Sequence, residues 1–401
     1  MADGILTRRG LARLPVTVRI AAIYLIARAI TTAFLLLAAG ESTSLSRFGA
    51  DPGIGDFVLG WDAQWYWYVA ENGYPAELPR TASGEVAENS WAFMPVYAYA
   101  AKVLGFGVWG AGALVLSLAA GYLACLLLHR LLHERIGDAA AMWAVVFFAS
   151  GPIAAMFQVG YAESLFLLLL FACLDLVVRR RYAWLYVLIP ILGFTRPGIL
   201  AFALFLGLVG VRRWLRRARD PLPAREIAHI VALGALSTAV GFAWQTIAAL
   251  VTGDSGAYLA TELAWRRNWG GKDGGFLPFD GFVRAAQFWF GQWGMPGWWG
   301  LIALVVLVAG AALVLLRARS VRVLGPELRL WSASYLLYLL AVFYPQSSVF
   351  RLLLPVSPLW GAVAVPCSRV YRWSVLVLCL AGQGIWIHFV YGLGQTFWQV
   401  P

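Results

Sequence analysis

Apolar residues in this chain arrive in long runs separated by short polar connections, rather than alternating with polar ones. The runs fall at roughly 17–39, 108–129, 139–157, 163–178, 182–194, 197–211, 227–251, 297–316, 330–344, 351–366 and 373–393. In lipid every backbone N–H and C=O must be satisfied within the segment, so such runs predict membrane-spanning helices. The expected fold is an all-α polytopic membrane protein, a bundle of about eleven transmembrane helices in one domain over 1–401. Two connections are long, 40–107 and 252–296. Within the first, Met94 to Leu104 mixes apolar and aromatic residues with a single lysine, which predicts an interfacial helix lying on the membrane. No internal repeat stands out.

The runs 182–194 and 197–211 are too short to cross a ~30 Å core unaided at about 1.5 Å per residue. Basic runs flank the pair on both sides, Arg179–Arg181 before it and Arg212–Arg219 after it. The chain is therefore expected to enter and return, turning at Phe194-Thr195-Arg196-Pro197-Gly198. An arginine at such a turn faces protein or a water-filled cavity rather than lipid.

Charge changes the picture by its position more than its amount. A net charge of +11 would suit nucleic acid, but only 13% of residues are charged and 61% are hydrophobic. Arginines cluster at Arg8/Arg9/Arg13/Arg19, Arg130/Arg135, Arg179–Arg181, Arg212–Arg219 with Arg225, Arg317–Arg329 and Arg369/Arg372. Acids gather in the two long connections, from Glu41 through Asp51, Asp62 and Glu85 to Glu88, and again at Asp254, Glu262, Asp273 and Asp280. This alternation follows the positive-inside rule, so the expected electrostatic partner is anionic membrane lipid and not nucleic acid. It places the N-terminus in the cytoplasm and both long loops on the outer face of a multi-pass protein. The first run is too long for a signal peptide and carries Arg28, so it reads as an uncleaved helix. Cys125, Cys173, Cys367 and Cys379 sit in or at the inner ends of predicted helices and form neither a disulfide framework nor a metal spacing. The glycines of Gly270 to Gly275 match no nucleotide-binding pattern.

The richest stretch chemically is Trp61 to Tyr74, where Asp62 stands among Trp61, Trp65, Tyr66, Trp67 and Tyr68. Its bland reading is an interfacial aromatic belt with an incidental charge. Three more charges fall on the same expected side. Glu163 opens a helix after Tyr161, a place where an acid commonly serves the helix dipole. Arg196 sits at the re-entrant turn and could merely pair with a carbonyl or an acid. Arg351 enters a late helix and could snorkel. A polar-then-aromatic element, Asn89 to Tyr97, leads into the interfacial helix.

In order along the chain, WDAxWYxxxAxxGY (Trp61 to Tyr74), FxPxY (Phe93 to Tyr97), YxES (Tyr161 to Ser164), the TRPxG-like turn and RxLLPxxPL (Arg351 to Leu359) resemble the PIG-V-type mannosyltransferases. Those are membrane enzymes of the GT-C glycosyltransferase class. The resemblance implies a GT-C-like bundle and transfer of a sugar, mannose in this family, from a polyprenyl-phosphate donor to a lipid or glycolipid acceptor. It implies a non-cytoplasmic active site, here on a bacterial plasma membrane, with the essential acid of the first outer loop matching Asp62. Ile199 and Ala162 depart from the family pattern and leave the acceptor and linkage open.

The residue chemistry is compatible. An inverting transfer needs one base for the acceptor hydroxyl and cations for the departing phosphate. Asp62 is the candidate base, while Arg196 and Arg351 are candidates to hold phosphate through bidentate bonds. Glu163 could orient a hydroxyl or an arginine, and Trp61, Trp65, Tyr66, Tyr68 and Tyr161 could supply stacking faces and hydroxyls. No cofactor is implied, and a single carboxylate-bound divalent ion stays open. The rival readings are a transporter or flippase for an anionic lipid or solute, and a non-catalytic assembly partner. A transporter would place ionisable groups at the bilayer midplane, whereas here Arg28 and Asp175 are the main within-helix charges.

Overall fold

The computed structural model describes residues 14–270 and 275–394, with no account of the side chains of 268–270. Arg8, Arg9 and Arg13, which contribute to the predicted orientation, and most of the Gly270–Gly275 turn lie outside the described residues. The chain forms α1 (Val16–Glu41), α2 (Asp62–Asn72), α3 (Pro95–Gly105), α4 (Trp109–Ile136), α5 (Asp138–Ala149), α6 (Glu163–Val178) and α7 (Leu185–Gly193). These are followed by α8 (Ile199–Leu215), α9 (Ala224–Thr252), α10 (Ala257–Gly270), α11 (Asp280–Gln292), α12 (Gly297–Arg317), α13 (Pro326–Val342) and α14 (Arg369–Ile387). Among the described residues there is no strand, only one isolated bridge between Arg80 and Val86. The protein is an all-α polytopic membrane protein.

The spans differ from the eleven expected. Among the described residues, five helices are long and apolar enough to cross a membrane: α1, α4, α9, α12, and α14 with its extension to Gly392. Others are shorter; α6 has 16 residues and α8 and α13 have 17 each, or about 25 Å at 1.5 Å per residue. The expected span 139–157 stops at Ala149 and resumes only as a 3-10 turn, Ala154–Phe157. Pro152 explains the break, because it offers no N–H and pushes the residue before it out of helical conformation. Carbonyls near the break are satisfied from neighbouring helices. Arg28 donates to Ala149 O and Ala154 O, each at 2.6 Å, and Gln383 donates to Gly151 O at 3.2 Å. The within-helix charge of Arg28 is thus spent on closing a helix break.

The expected span 351–366 is likewise divided, into Val349–Leu352, a 3-10 segment Leu354–Leu359 and Trp360–Ala364, with Pro355 and Pro358 at the change of geometry. Both long connections prove structured. The first contains Ile54–Val58, α2, the Ser90–Ala92 turn and α3; the second contains α10 and α11. Helix α3 occupies the expected interfacial segment. It crosses α4 so closely that a Cβ on Gly112 would lie 2.0 Å from Ala101 O.

One buried apolar core runs through α1, α4, α5, α6, α8 and α13. A second, rich in aromatic rings, joins α2, α3 and the start of α4 to Tyr161, Trp386 and Tyr391. Helices α6 and α8 carry basic residues near their C-termini and begin close to Glu163 and Arg196. The bundle therefore has an arginine-rich end and, opposite it, an Asp62 end.

Candidate active site

The approach to Asp62 is set by an unusual backbone. Trp61 has φ +54° and ψ −124°, a conformation that bulky residues seldom adopt. It turns the chain sharply into α2 so that Asp62 becomes the first helical residue. There the unpaired N–H groups of the first turn favour a carboxylate. The segment before Glu163 reaches the same place through Gly160, whose N–H donates to Val58 O at 2.9 Å. A Cβ on Gly160 would lie 2.8 Å from that carbonyl oxygen and 3.0 Å from the Ala63 methyl, so only glycine permits this approach. Tyr161 follows, and its hydroxyl accepts the Asp62 N–H at 3.2 Å.

Four charged side chains meet here. Arg351 Nη1 donates to Asp62 Oδ2 at 2.6 Å and to Glu163 Oε1 at 3.1 Å. The same Glu163 oxygen lies 3.1 Å from Arg196 Nη1. Arg196 is thereby linked to Asp62 through three ion pairs, although the chain between them contains four of the apolar runs. Glu163 is almost sealed, with its side chain 1% exposed, whereas Asp62 keeps 19%. The tetrad is charge-balanced, two acids against two guanidinium groups. Arg351 also lies over the Tyr161 ring, 5.1 Å from its centroid. Its short helix is braced by Tyr335, whose hydroxyl donates to Leu352 O at 2.9 Å. The turn holding Arg196 ends at Gly198 with φ +137°, a backbone state open to glycine.

The aromatic residues named from the sequence take different places. Trp65 and Tyr66 follow Asp62 by three and four residues and share its side of α2. Trp65 stacks on Phe93 at 5.7 Å, with the planes 5° apart. Tyr66 is buried against Phe93 and Tyr97, and burial foremost, then the charge of Glu163, holds its phenol protonated well above the ordinary value. Tyr161 is fully enclosed. Trp61 packs against Phe48 and beneath the Arg47 guanidinium at 4.3 Å, and its indole N–H donates to Val390 O at 3.2 Å. Tyr68 is exposed and touches the group only through an edge contact with Trp65 at 6.1 Å. A divalent ion would have to use Asp62 and Glu163, between which Arg351 already lies.

Trp265 of α10, a residue of the second long connection, is not among the site residues expected from the sequence. It stands edge-on to Trp65 at 5.5 Å and to Phe93 at 5.7 Å, both at 77°. Its helix lies where the hydropathy pattern predicts a loop, since polar and apolar residues mix there without a long apolar run. The helical spacing of Tyr258, Glu262, Trp265 and Arg266 was the available signal.

A scan of known protein families finds no match, and neither does a search of curated proteins. Among solved structures the chain is similar to ArnT from Cupriavidus metallidurans bound to undecaprenyl phosphate, at 14% identity over 89% of this chain and 62% of that one, with TM-score 0.49. It is also similar to the oligosaccharyltransferase AglB from Archaeoglobus fulgidus in complex with an inhibitory peptide and a dolichol-phosphate, at 13% identity over 94% of this chain and 56% of that one, TM-score 0.43. The apo form of the Archaeoglobus fulgidus oligosaccharyltransferase matches at 14% identity over 95% and 56%, TM-score 0.47. The chain spans less than two thirds of the length of each of these structures. No residue role is carried across at this level of likeness.

Proposed function

We propose that the protein is a membrane glycosyltransferase of the GT-C class, PIG-V-like, that moves a sugar, mannose by the sequence resemblance, from a polyprenyl-phosphate donor to a lipid or glycolipid acceptor. The observation that carries this reading is the ion-pair chain Asp62–Arg351–Glu163–Arg196, because it sets a carboxylate base beside a cationic pole. In the proposed step the acceptor hydroxyl oxygen attacks the anomeric carbon from the face opposite the phosphate. The C–O bond to phosphate breaks, its electron pair leaves with the lipid phosphate, and the hydroxyl proton passes to Asp62. The step is a single displacement and inverts the anomeric centre.

Each residue then has a task. Asp62 Oδ2 is held by Arg351, which aims the carboxylate, and Oδ1 takes the proton. Arg196 and Arg351 meet the phosphate oxygens as charge builds, where fixed guanidinium groups in a sheltered site act most strongly. Glu163 sets the positions of both arginines. Trp65 supplies an apolar face beside the base. The reaction takes place on the outer face of a bacterial plasma membrane, in keeping with the arginine distribution.

The test is to supply the purified full-length protein with labelled polyprenyl-phosphate mannose and a panel of lipid acceptors. A labelled glycolipid is the expected product. Movement of lipid across liposome bilayers with no glycosidic bond formed under any pairing would replace this reading with a transporter.

A further inference from the structure

Helix α10 presents two faces. Ala257, Thr261 and Ala264 are buried on one of them. There Asn89 and Thr261 share two side-chain hydrogen bonds, at 2.9 and 3.2 Å. Arg267 adds an ion pair with Glu85 at 3.3 Å and a hydrogen bond to Val86 O. These contacts fasten α10 to the first long connection and settle its rotation.

The other face follows from spacing. Tyr258, Glu262, Trp265 and Arg266 recur at four, three and one residues, which places them on one stripe of a 3.6-residue helix. The stripe borders the site at two points. Trp265 meets Trp65, one turn beyond Asp62. Arg266 reaches the end of α13, with Nη2 donating to Val342 O at 2.6 Å. Back along α13, Tyr338 lies 6.2 Å from the Tyr335 ring, and the Tyr335 hydroxyl donates to Leu352 O beside Arg351 at 2.9 Å. Tyr258 stands one turn before Glu262 on the stripe, and burial raises the Glu262 carboxyl above the usual range. The Trp265 indole N–H is enclosed and has no partner among the described residues.

One helical stripe therefore combines an indole ring with a spare N–H donor, a carboxylate and a guanidinium. This is the equipment for a hexose: its C–H face packs on an aromatic ring, and neighbouring hydroxyls bond to a carboxylate and to a planar guanidinium. Resting on the transferase reading, we propose that Glu262, Trp265 and Arg266 form the subsite that reads the sugar of the lipid-linked donor. The donor sugar is the occupant because it must lie between its own phosphate, at Arg196, and the reacting hydroxyl, at Asp62. The stripe reaches the phosphate side through α13 and its tyrosines and the base side through Trp65. A site built to bond hydroxyls discriminates strongly against a sugar that presents them differently.

The experiment compares binding of sugar-free polyprenyl phosphate with that of polyprenyl-phosphate mannose and polyprenyl-phosphate glucose to purified full-length protein. Wild type should bind one of the two sugar-bearing lipids more tightly than the sugar-free lipid. Trp265→Ala and Glu262→Gln should each weaken that preferred lipid about tenfold or more while changing the sugar-free lipid less than about twofold. Trp265→Phe keeps the ring and removes the N–H, and serves if the alanine variant does not fold. Equal losses on both kinds of lipid, no loss on either, or a wild type indifferent to sugar would each overturn the subsite. A loss confined to acceptor binding would assign the stripe to the acceptor and overturn it as well. A wild type that binds no polyprenyl phosphate at all would remove the transferase reading first.

Discussion

The two ends of α6 carry acids that are both buried, Glu163 at 1% and Asp175 at 5% exposure, yet the company they keep is different. Asp175 lies in the last turn, where the helix dipole disfavours a negative charge. It is compensated by Arg179 one turn on, at 2.9 Å, and by Arg130 of α4 at 3.1 Å, both of which extend into solvent. The rest of the arginine-rich end is built the same way. Arg213 pairs with Glu226 and also donates to Pro221 O, while Arg135 pairs with Glu327 and also donates to Leu324 O. Those guanidinium groups bind carbonyls at helix ends and tie one helix to the next.

Glu163 stands in the first turn, where the dipole already favours it, so it needs no partner on that account. It nevertheless holds two arginines, and among the described residues neither donates a hydrogen bond to a backbone carbonyl. Buried ion pairs add little net stability over well-packed apolar residues, although breaking one is costly. A buried network that closes no helix end is better explained by chemistry than by architecture. The comparison separates an ionic cluster that holds the bundle together from one that the proposed function assigns to a ligand.

Substitutions at the two ends can break this comparison. The largest effect is expected from Asp62→Asn, which keeps shape but removes the base; sugar transfer should fall by about 10²–10⁴-fold while the protein still folds, since Arg351 keeps Glu163 as a partner. Asp175→Asn should leave transfer within about twofold, and wild-type transfer by Asp62→Asn would end the proposed mechanism. Glu163→Gln removes the charge shared by two buried arginines, and chemical unfolding in detergent should register a loss of about 3–5 kcal/mol. The matching loss for Asp175→Asn should be nearer 1 kcal/mol, since its arginines reach water. If the two losses are equal, the distinction between the ends fails.

Arg196→Lys sharpens the comparison further. It keeps the charge but gives up the planar fork, so affinity for polyprenyl phosphate should drop roughly tenfold. Arg213→Lys, at the other end of α8, should leave that affinity unchanged. Smallest of all is Asp51→Asn. Asp51 is exposed with φ +52°, a conformation asparagine also tolerates, so neither transfer nor unfolding should change measurably.

Glu85 illustrates how a loop acid read only from its sequence can be misjudged. It would pass for a solvated charge, but it pairs with Arg267 and helps dock α10 on the first long connection. Helix α10 itself was hidden because its apolar residues are divided between two faces, one packed and one bordering the site, and no long run results. The broken spans were hidden for a simpler reason. Hydropathy averages over Pro152, Pro355 and Pro358, while helix geometry does not.

What the sequence by itself determined was the all-α membrane architecture and the identity of the charged residues worth watching. The first follows because lipid leaves a long apolar run no option but to satisfy its own backbone. The second follows because a charge beside such a run is expensive and needs a reason. Asp62, Glu163, Arg196 and Arg351 were each legible as exceptions. That they meet is visible only in the tertiary structure, since Arg351 reaches Asp62 across 289 positions and Glu163 across 188. Periodicity and spacing act over a few helical turns, whereas this meeting depends on a glycine contact at Gly160, a strained turn at Trp61 and a proline-broken helix around Arg351. The final placement of each charge is a matter of packing between distant segments, which no local pattern encodes.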